Sequence, residues 1–383
     1  DALAHPDLLG FANRQAQRIF VGKRAGAPSE RQARINERLL EAARAGLQVV
    51  RLKGGDPYLF GRGSEEAEFL AEHRIPFEVV PGVPSPLAAT AYAGISLTHR
   101  RLSSSIAYVT ATEAPDKKTP GPDWAALAKS PETLVIFMGV RRLSEIAAAL
   151  VAGGRPATTP AVVVQWASLP KQRTVSAPLA DIAGAAQSAG IGMPAITVIG
   201  SVVSLRERLR WYDVQPLFGK KVLVTRPAHQ AHGMAEALRR RGAEPVIAPA
   251  IEVRAHPAAK KEVPTLAAGA PFAWLIFTSA NGVDHFFDAL DGANLDARSL
   301  GSTRIACIGP KTADALKQRG LRADLIPSEY RGEGVADALI PELGSGPARV
   351  WLARAKEARD ALPDALRAAG HRVHITPLYE SVL

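Results

Sequence analysis

Short apolar runs alternate with helical patterns through the first half of the chain. A capping-box pattern, Ser29-x-x-Gln32, opens a helix that Gly46 should terminate. Residues 47–52 follow as a buried strand, then a glycine turn, then a helix from about Ser64 to His73. Residues 77–80 form another apolar strand, leading through Pro81-Gly-Val-Pro-Ser85 into an alanine-rich helix that runs to Ala93. This βα alternation predicts a parallel or mixed sheet with helices on its faces. From Ile106 the spacing changes. Strand-like runs at 106–110, 133–138, 161–165 and 195–199 are separated by longer loops and one clear helix, 142–151. They predict a second α/β subdomain contributing loops to a shared cleft. Beyond Gly219 a new series begins, with strands at 221–225, 245–247, 274–278, 304–308, 349–352 and 373–375. Helices are predicted up to Arg241, from Asn281 and from Lys311. Each strand ends in a small-polar or glycine cluster, as in flavodoxin-like sheets, whose ligands lie beyond the carboxyl ends of the strands.

Length and composition narrow the partners. With 383 residues, the chain has material for two or three domains. Hydrophobic residues make up 47%, yet no run is long enough to span a bilayer, so no membrane partner is expected. The single cysteine, Cys307, lies in an apolar run and reads as a buried strand residue, which fits a reducing cytoplasm. The formal net charge of +10 points to an anionic partner. Aromatic residues are only 6% and no nucleic-acid-binding pattern occurs, so a substrate with many carboxylates explains the charge better than nucleic acid. His229-x-x-His232 has helical spacing for a metal but no third ligand, so no metal is expected. The chain starts at Asp1 and stops at Leu383 directly after an apparent strand, which reads as a fragment.

The densest chemistry lies in Arg51-Leu-Lys-Gly-Gly-Asp-Pro-Tyr-Leu-Phe-Gly-Arg-Gly-Ser-Glu-Glu66. Gly54 and Gly55 let the backbone approach a ligand, since no Cβ stands in the way. Asp56 offers a carboxylate beside the turn, and Pro57 stiffens its exit. Arg62, Glu65 and Glu66 gather opposite charges at a helix start expected to be capped by Ser64.

The first 212 residues resemble the uroporphyrinogen-III C-methyltransferases of the tetrapyrrole methylase family. The resemblance is carried by Val21-Gly-Lys-Arg-Ala-Gly26, Arg51-Leu-Lys-Gly-Gly-Asp-Pro57, Phe60-Gly-Arg-Gly63, Ala91-Tyr-Ala-Gly-Ile95, Leu97-Thr-His-Arg100, Gln165-Trp-Ala167 with Gln172-Arg173, and Pro194-Ala-Ile196. Residues 220–383 resemble uroporphyrinogen-III synthase through Lys221-Val-Leu-Val-Thr-Arg226, Phe277-Thr-Ser-Ala-Asn-Gly282, Ile308-Gly-Pro-Lys-Thr-Ala313 and Pro377-Leu-Tyr379. The resemblance implies a methylase fold of two subdomains, about 1–102 and 103–212, a linker at 213–219, and flavodoxin-like synthase lobes. In the family a glycine–proline–aspartate loop precedes the position of Asp1, and a complete synthase continues into its first lobe beyond that of Leu383.

It also implies roles. S-adenosylmethionine is the methyl donor, held by Gly54, Gly55, Asp56 and Leu59, by Pro84 and Ser85, and by Met138, Ala167, Pro194 and Ala195. Pro84 departs from the family's threonine, which removes a hydroxyl contact. The acceptor is a macrocycle bearing eight carboxylates, for which Arg62 and Arg100 are anchors, with Glu65 orienting Arg62 or meeting pyrrole N–H groups. Asp1 and Lys23 match an acid–base pair, while Arg62 is better suited to an electrostatic role than to a base. In the synthase half Tyr379 assists departure of a hydroxyl, and Ser279 and Thr312 hydrogen-bond carboxylates near helix N-termini. The expected product is precorrin-2, on the way to sirohaem or cobalamin, with dimerisation through the methylase half. A methylase of a later corrin intermediate and an inactive tetrapyrrole-binding protein remain as alternatives.

Overall fold

The structure, a computed structural model, describes residues 2–13, 15–22, 32–112 and 121–382, the side chain of His229 excepted. Two compact units are present. The first comprises Asp1–Val222 with Glu236–Pro245, and the second Leu223–Ala235 with Val246–Leu383.

In the first unit, helix α1 (Gln32–Arg44) stops where Gly46 turns left-handed at φ +76°. Helix α2 (Gly63–Glu72) and helix α3 (Ser85–Ala93) follow, the latter ended by Gly94 at φ +72°. The second subdomain has β1 (Ile106–Thr110), α4 (Trp124–Lys129), β2 (Thr133–Phe137), α5 (Leu143–Ala152), β3 (Pro160–Gln165), β4 (Arg173–Pro178), α6 (Ile182–Ser188), β5 (Ala195–Ile199) and α7 (Arg206–Leu209). Its five strands form one mixed sheet in the order β1-β2-β5-β3-β4, in which only β1 and β2 pair in parallel. Every residue of β2 is buried. Leu134 and Ile136 join one apolar cluster, Val135 and Phe137 the other, so the sheet is covered on both faces.

Three expectations need correction here. Residues 47–52 and 77–80 carry no strand assignment: no ladder partner lies among the described residues, and Val50 and Val80 are 83% and 73% exposed. An apolar run becomes a strand only when a neighbour takes up its backbone hydrogen bonds. Ser64 does not cap α2 either, because the helix begins one residue earlier, after a left-handed Arg62 (φ +59°). The first helical N–H, of Gly63, donates instead to the Pro57 carbonyl at 2.9 Å. Beyond the single expected helix, α4 and α6 are also present. They have six and seven residues, too short to show a helical period.

The chain then forms β6 (Lys221–Val224), α8 (Ala228–Arg240) and β7 (Glu244–Ile247), with β6 and β7 paired as a two-stranded sheet. In the second unit follow β8 (Glu252–Ala255), α9 (Pro257–Ala267), β9 (Trp274–Phe277), α10 (Ala280–Asp291), β10 (Arg304–Cys307), α11 (Pro310–Gln318), α12 (Gly332–Leu343), β11 (Arg349–Ala355), α13 (Ala361–Ala368) and β12 (Arg372–Val382). The sheet order is β10-β9-β11-β12-β8, parallel except for the edge strand β8. Leu275, Phe277 and Trp351 face one cluster, and Trp274, Ile276 and Leu352 the other. Cys307 is fully buried, as its apolar context predicts, and burial pushes its thiol up to about 12.

Candidate active sites

In the first unit, the sheet topology gathers one end of three strands. Strand β5 runs antiparallel to β2 and β3, with Phe137 opposite Ile196 and Gln165 opposite Ala195. Met138, Trp166-Ala167 and Pro194–Ala195 therefore share one sheet edge, tied further by the Trp166 N–H donating to the Pro194 carbonyl at 3.3 Å. Four of the residues expected at the donor site thus come together from three distant stretches of sequence.

The glycine loop reaches the same place. The Phe60 ring lies 4.6 Å from that of Phe137, and Leu59 packs on the apolar cluster that Ala167 also covers. Gly55, at φ +85°, passes beside Pro84, whose Cα a Cβ at Gly55 would meet at 3.6 Å. The approach is closer at Gly82, where a Cβ would lie 2.4 Å from the Gly55 carbonyl oxygen. Asp56 locks this arrangement. Its Oδ1 accepts from the Tyr58 and Leu59 amides at 2.9 and 3.2 Å, and its Oδ2 from the Gly82 amide at 3.1 Å. The Gly82 and then the Tyr58 amide hold its carboxyl below the usual carboxylate range. Asp56 thus braces the loop, a local role that the sequence reading did not assign to it.

The guanidinium of Arg62 meets the Glu65 carboxylate as a fork, Nε to Oε1 at 2.8 Å and Nη2 to Oε2 at 2.6 Å, with both side chains half exposed. This pairing lowers the Glu65 pKa. Arg100 stands exposed on the turn closed by the His99–Ser103 bridge. Asp1 and Lys23 lie outside the described residues.

One property of this site was missed. Phe60, Arg62, Met138, Trp166 and Ser168 have positive φ, five of the seven such non-glycine residues among those described. Left-handed backbone at a side-chain-bearing residue costs about 1–3 kcal/mol and gathers at ligand sites. Sequence gives no sign of it, because none of the five is a glycine or asparagine.

The second unit places Ser279, Thr312 and Tyr379 at the carboxyl edge of its parallel sheet. The connection leaving β9 leads to β10 on one flank and the connection leaving β11 leads to β12 on the other, so the topological switch point lies between β9 and β11. Ser279 caps α10, its Oγ accepting from the Gly282 amide at 3.0 Å, and the Tyr379 hydroxyl lies 2.9 Å from the same Oγ. The ring of Tyr379 stacks on His285 at 5.6 Å between centroids, a neighbour that sequence reasoning missed. Thr312, in the first turn of α11, is 4% exposed, so little of it faces solvent.

The architecture defines two α/β units in one polypeptide, each with its candidate residues at a strand edge. A family model described as Tetrapyrrole (Corrin/Porphyrin) Methylases matches residues 1–183, and one described as Uroporphyrinogen-III synthase HemD matches residues 232–383. Porphyrin biosynthesis protein HemD of Ruminiclostridium josui is 38% identical over 383 residues, 100% of this chain and 75% of its own length. Uroporphyrinogen-III C-methyltransferase of Bacillus subtilis (strain 168) is 38% identical over 326 residues, 85% of this chain and 66% of its own. Siroheme synthase of Chromobacterium violaceum is 46% identical over 215 residues, 55% of this chain and 45% of its own. The chain belongs to the tetrapyrrole-biosynthesis enzymes in which a tetrapyrrole methylase is joined to a uroporphyrinogen-III synthase.

Proposed function

We propose that the first unit methylates uroporphyrinogen III twice, giving precorrin-2, and that the second cyclises hydroxymethylbilane to uroporphyrinogen III. The product of one half is then the substrate of the other. The observation that carries the methylase reading is the convergence of the Gly54–Asp56 loop, Pro84 and the Met138–Ala167–Pro194 edge, held by the Asp56 bonds.

The loop suits S-adenosylmethionine in two respects. Gly54 and Gly55 present bare backbone, and Leu59, Met138 and Ala167 offer apolar surface for an adenine ring. Bound there, the donor supplies an electrophilic methyl group on a sulfonium. What the chain contributes is alignment of that methyl with a nucleophilic macrocycle carbon. Arg62 and Arg100 take the substrate's carboxylates, Arg62 with its guanidinium already oriented by Glu65. Asp1 and Lys23 are assigned the proton leaving the methylated macrocycle. In the synthase half, Tyr379 donates towards the departing hydroxyl while Ser279 fixes the phenol. We assign the protein to the cytoplasm, on a route to sirohaem or cobalamin, as a dimer through its methylase half. Among the described residues no helix is long and apolar enough to cross a membrane.

The test is to incubate the full chain with uroporphyrinogen III and S-adenosylmethionine and count methyl groups per macrocycle by mass spectrometry. Two methyls are expected. Tight macrocycle binding with no methyl transferred would replace this reading with that of a tetrapyrrole carrier.

A further inference from the structure

Behind the glycine loop lies a cluster of buried charge to which no role has been given. Glu66, at the end of the first turn of α2, is only 4% exposed. The Lys53 ammonium donates to both its oxygens at 3.1 Å, and Arg51 lies 3.2 Å from Oε1. Gln32, at the start of α1, donates to the same oxygen at 3.1 Å while bonding Asn36 at 3.0 Å. The Lys53 side chain is 7% exposed, and burial lowers its pKa although Glu66 opposes this. One carboxylate thus answers two cations in a nearly dry setting.

The placement of the cluster gives its purpose. Arg51 and Lys53 are two residues apart, so they share one face of an extended chain, and Gly54 comes next. At the loop's far end, α2 starts so close to Pro57 that a Cβ on Gly63 would lie 2.4 Å from the Pro57 carbonyl oxygen. Glu66 sits one turn further along that helix. The glycine loop is therefore strung between a segment that Glu66 grips and the helix on which Glu66 stands. Apolar residues of similar volume would hold an extended segment to a helix as well as buried charges do, or better. Ionic contacts of fixed length instead set a register at the loop entrance, where the backbone has no side chains of its own to set it.

We propose that Glu66 is a positioning residue which, by gripping Arg51 and Lys53, sets the geometry of the Gly54–Asp56 loop for the methyl donor. The inference rests on the donor reading above for its ligand, though not for its geometry. The test uses the full chain with E66Q, E66D and K53M. Amide hydrogen exchange is followed at residues 54–59 and, for reference, in β2 and β5. Binding of S-adenosylhomocysteine is measured by calorimetry.

In E66Q, exchange in the loop should accelerate more than tenfold while β2 and β5 stay protected. The S-adenosylhomocysteine Kd should rise about tenfold, and the donor KM should rise with kcat within about twofold. E66D should restore part of the affinity. If E66Q does not fold, K53M leaves the carboxylate paired with Arg51, and the same loop exchange decides. Unchanged loop exchange in the folded variants, or loosening spread equally through β2 and β5, overturns the proposal. If the unmodified chain does not bind S-adenosylhomocysteine, the donor reading falls, and loop exchange alone still decides the role of Glu66.

Discussion

The two candidate sites solve one problem with different materials. In the first unit the site is assembled from loops, braced by the carboxylates of Asp56 and Glu66 and by left-handed residues, with glycines packed against carbonyls. In the second unit the site is an edge of a packed parallel sheet, where a hydroxyl pair, Ser279 and Tyr379, sits beside an apolar cluster. A loop has no sheet to hold it, so its geometry must come from strong, directional contacts. A sheet edge inherits its geometry from the core. The first site should therefore respond steeply to small backbone and charge changes, and the second should respond locally.

The largest effect should come from G82A. Its Cβ would meet the Gly55 carbonyl at 2.4 Å, and neither backbone can yield cheaply. Methyl transfer should fall about a hundredfold, as for a misplacement of roughly 1 Å, with cyclisation of hydroxymethylbilane unchanged. An equal loss in both assays would remove the contrast between the sites.

Next comes D56N, expected to weaken S-adenosylhomocysteine binding about tenfold, because asparagine keeps one acceptor oxygen, now uncharged, and sets an NH2 donor against an amide that the other carboxylate oxygen accepts from. Its pH behaviour has a definite sign. The folded carboxyl titrates below its unfolded value, so its contribution is fully present above about pH 4 and is lost as pH falls through the lower folded value. Loop protection measured by hydrogen exchange should be flat from neutrality to about pH 4 and then decline. In D56N that acid-dependent component should vanish, and an identical decline in both proteins would show that the bracing lies elsewhere.

Y379F tests the second site. It should slow cyclisation about tenfold and cost about 1 kcal/mol of stability from the lost Ser279 bond, leaving methylation as it was. A drop in methylation would count against independent sites.

The smallest effect concerns Cys307. A fully buried thiol titrating at about 12 should not react with a disulfide reagent near neutral pH until the second unit unfolds. Rapid labelling of the native protein would mean that the sheet edge is looser than described.

Much of this was legible in sequence, and the failures are instructive. The apolar runs that became β2, β3, β5, β9, β10 and β11 were found because their residues are buried on both faces, which leaves an uninterrupted run, and the half-buried edge strand β1 was found from its apolar Ile-Ala-Tyr-Val core. The edge strand β4 was missed because only one face is covered, so Arg173–Pro178 alternates small and polar residues. Strand β12 is longer than its apolar core suggests, since Pro377 interrupts the run yet sits at a register shift beside β11. Residues 47–52 misled in the opposite direction: their apolar pattern says strand, but a pattern cannot supply a neighbour. At the sites, Gly54, Gly55 and Asp56 were legible because glycine and a turn carboxylate have few other uses together. Glu66 was visible only as a charge near a helix start. Nothing in its spacing shows that it turns inward to Lys53, and His285 likewise gives no sign of the tyrosine it stacks against.

The left-handed residues at the sheet edge also mark out a route for protein engineering. Met138, Trp166 and Ser168 hold φ near +53°, +51° and +65°, where glycine or asparagine would be at ease. A screen for heat tolerance should thus be drawn to these three positions. Any gain in melting temperature there would come from relaxing the wall of a binding cleft, and the thermostable winners of such a screen are the variants whose turnover most needs checking.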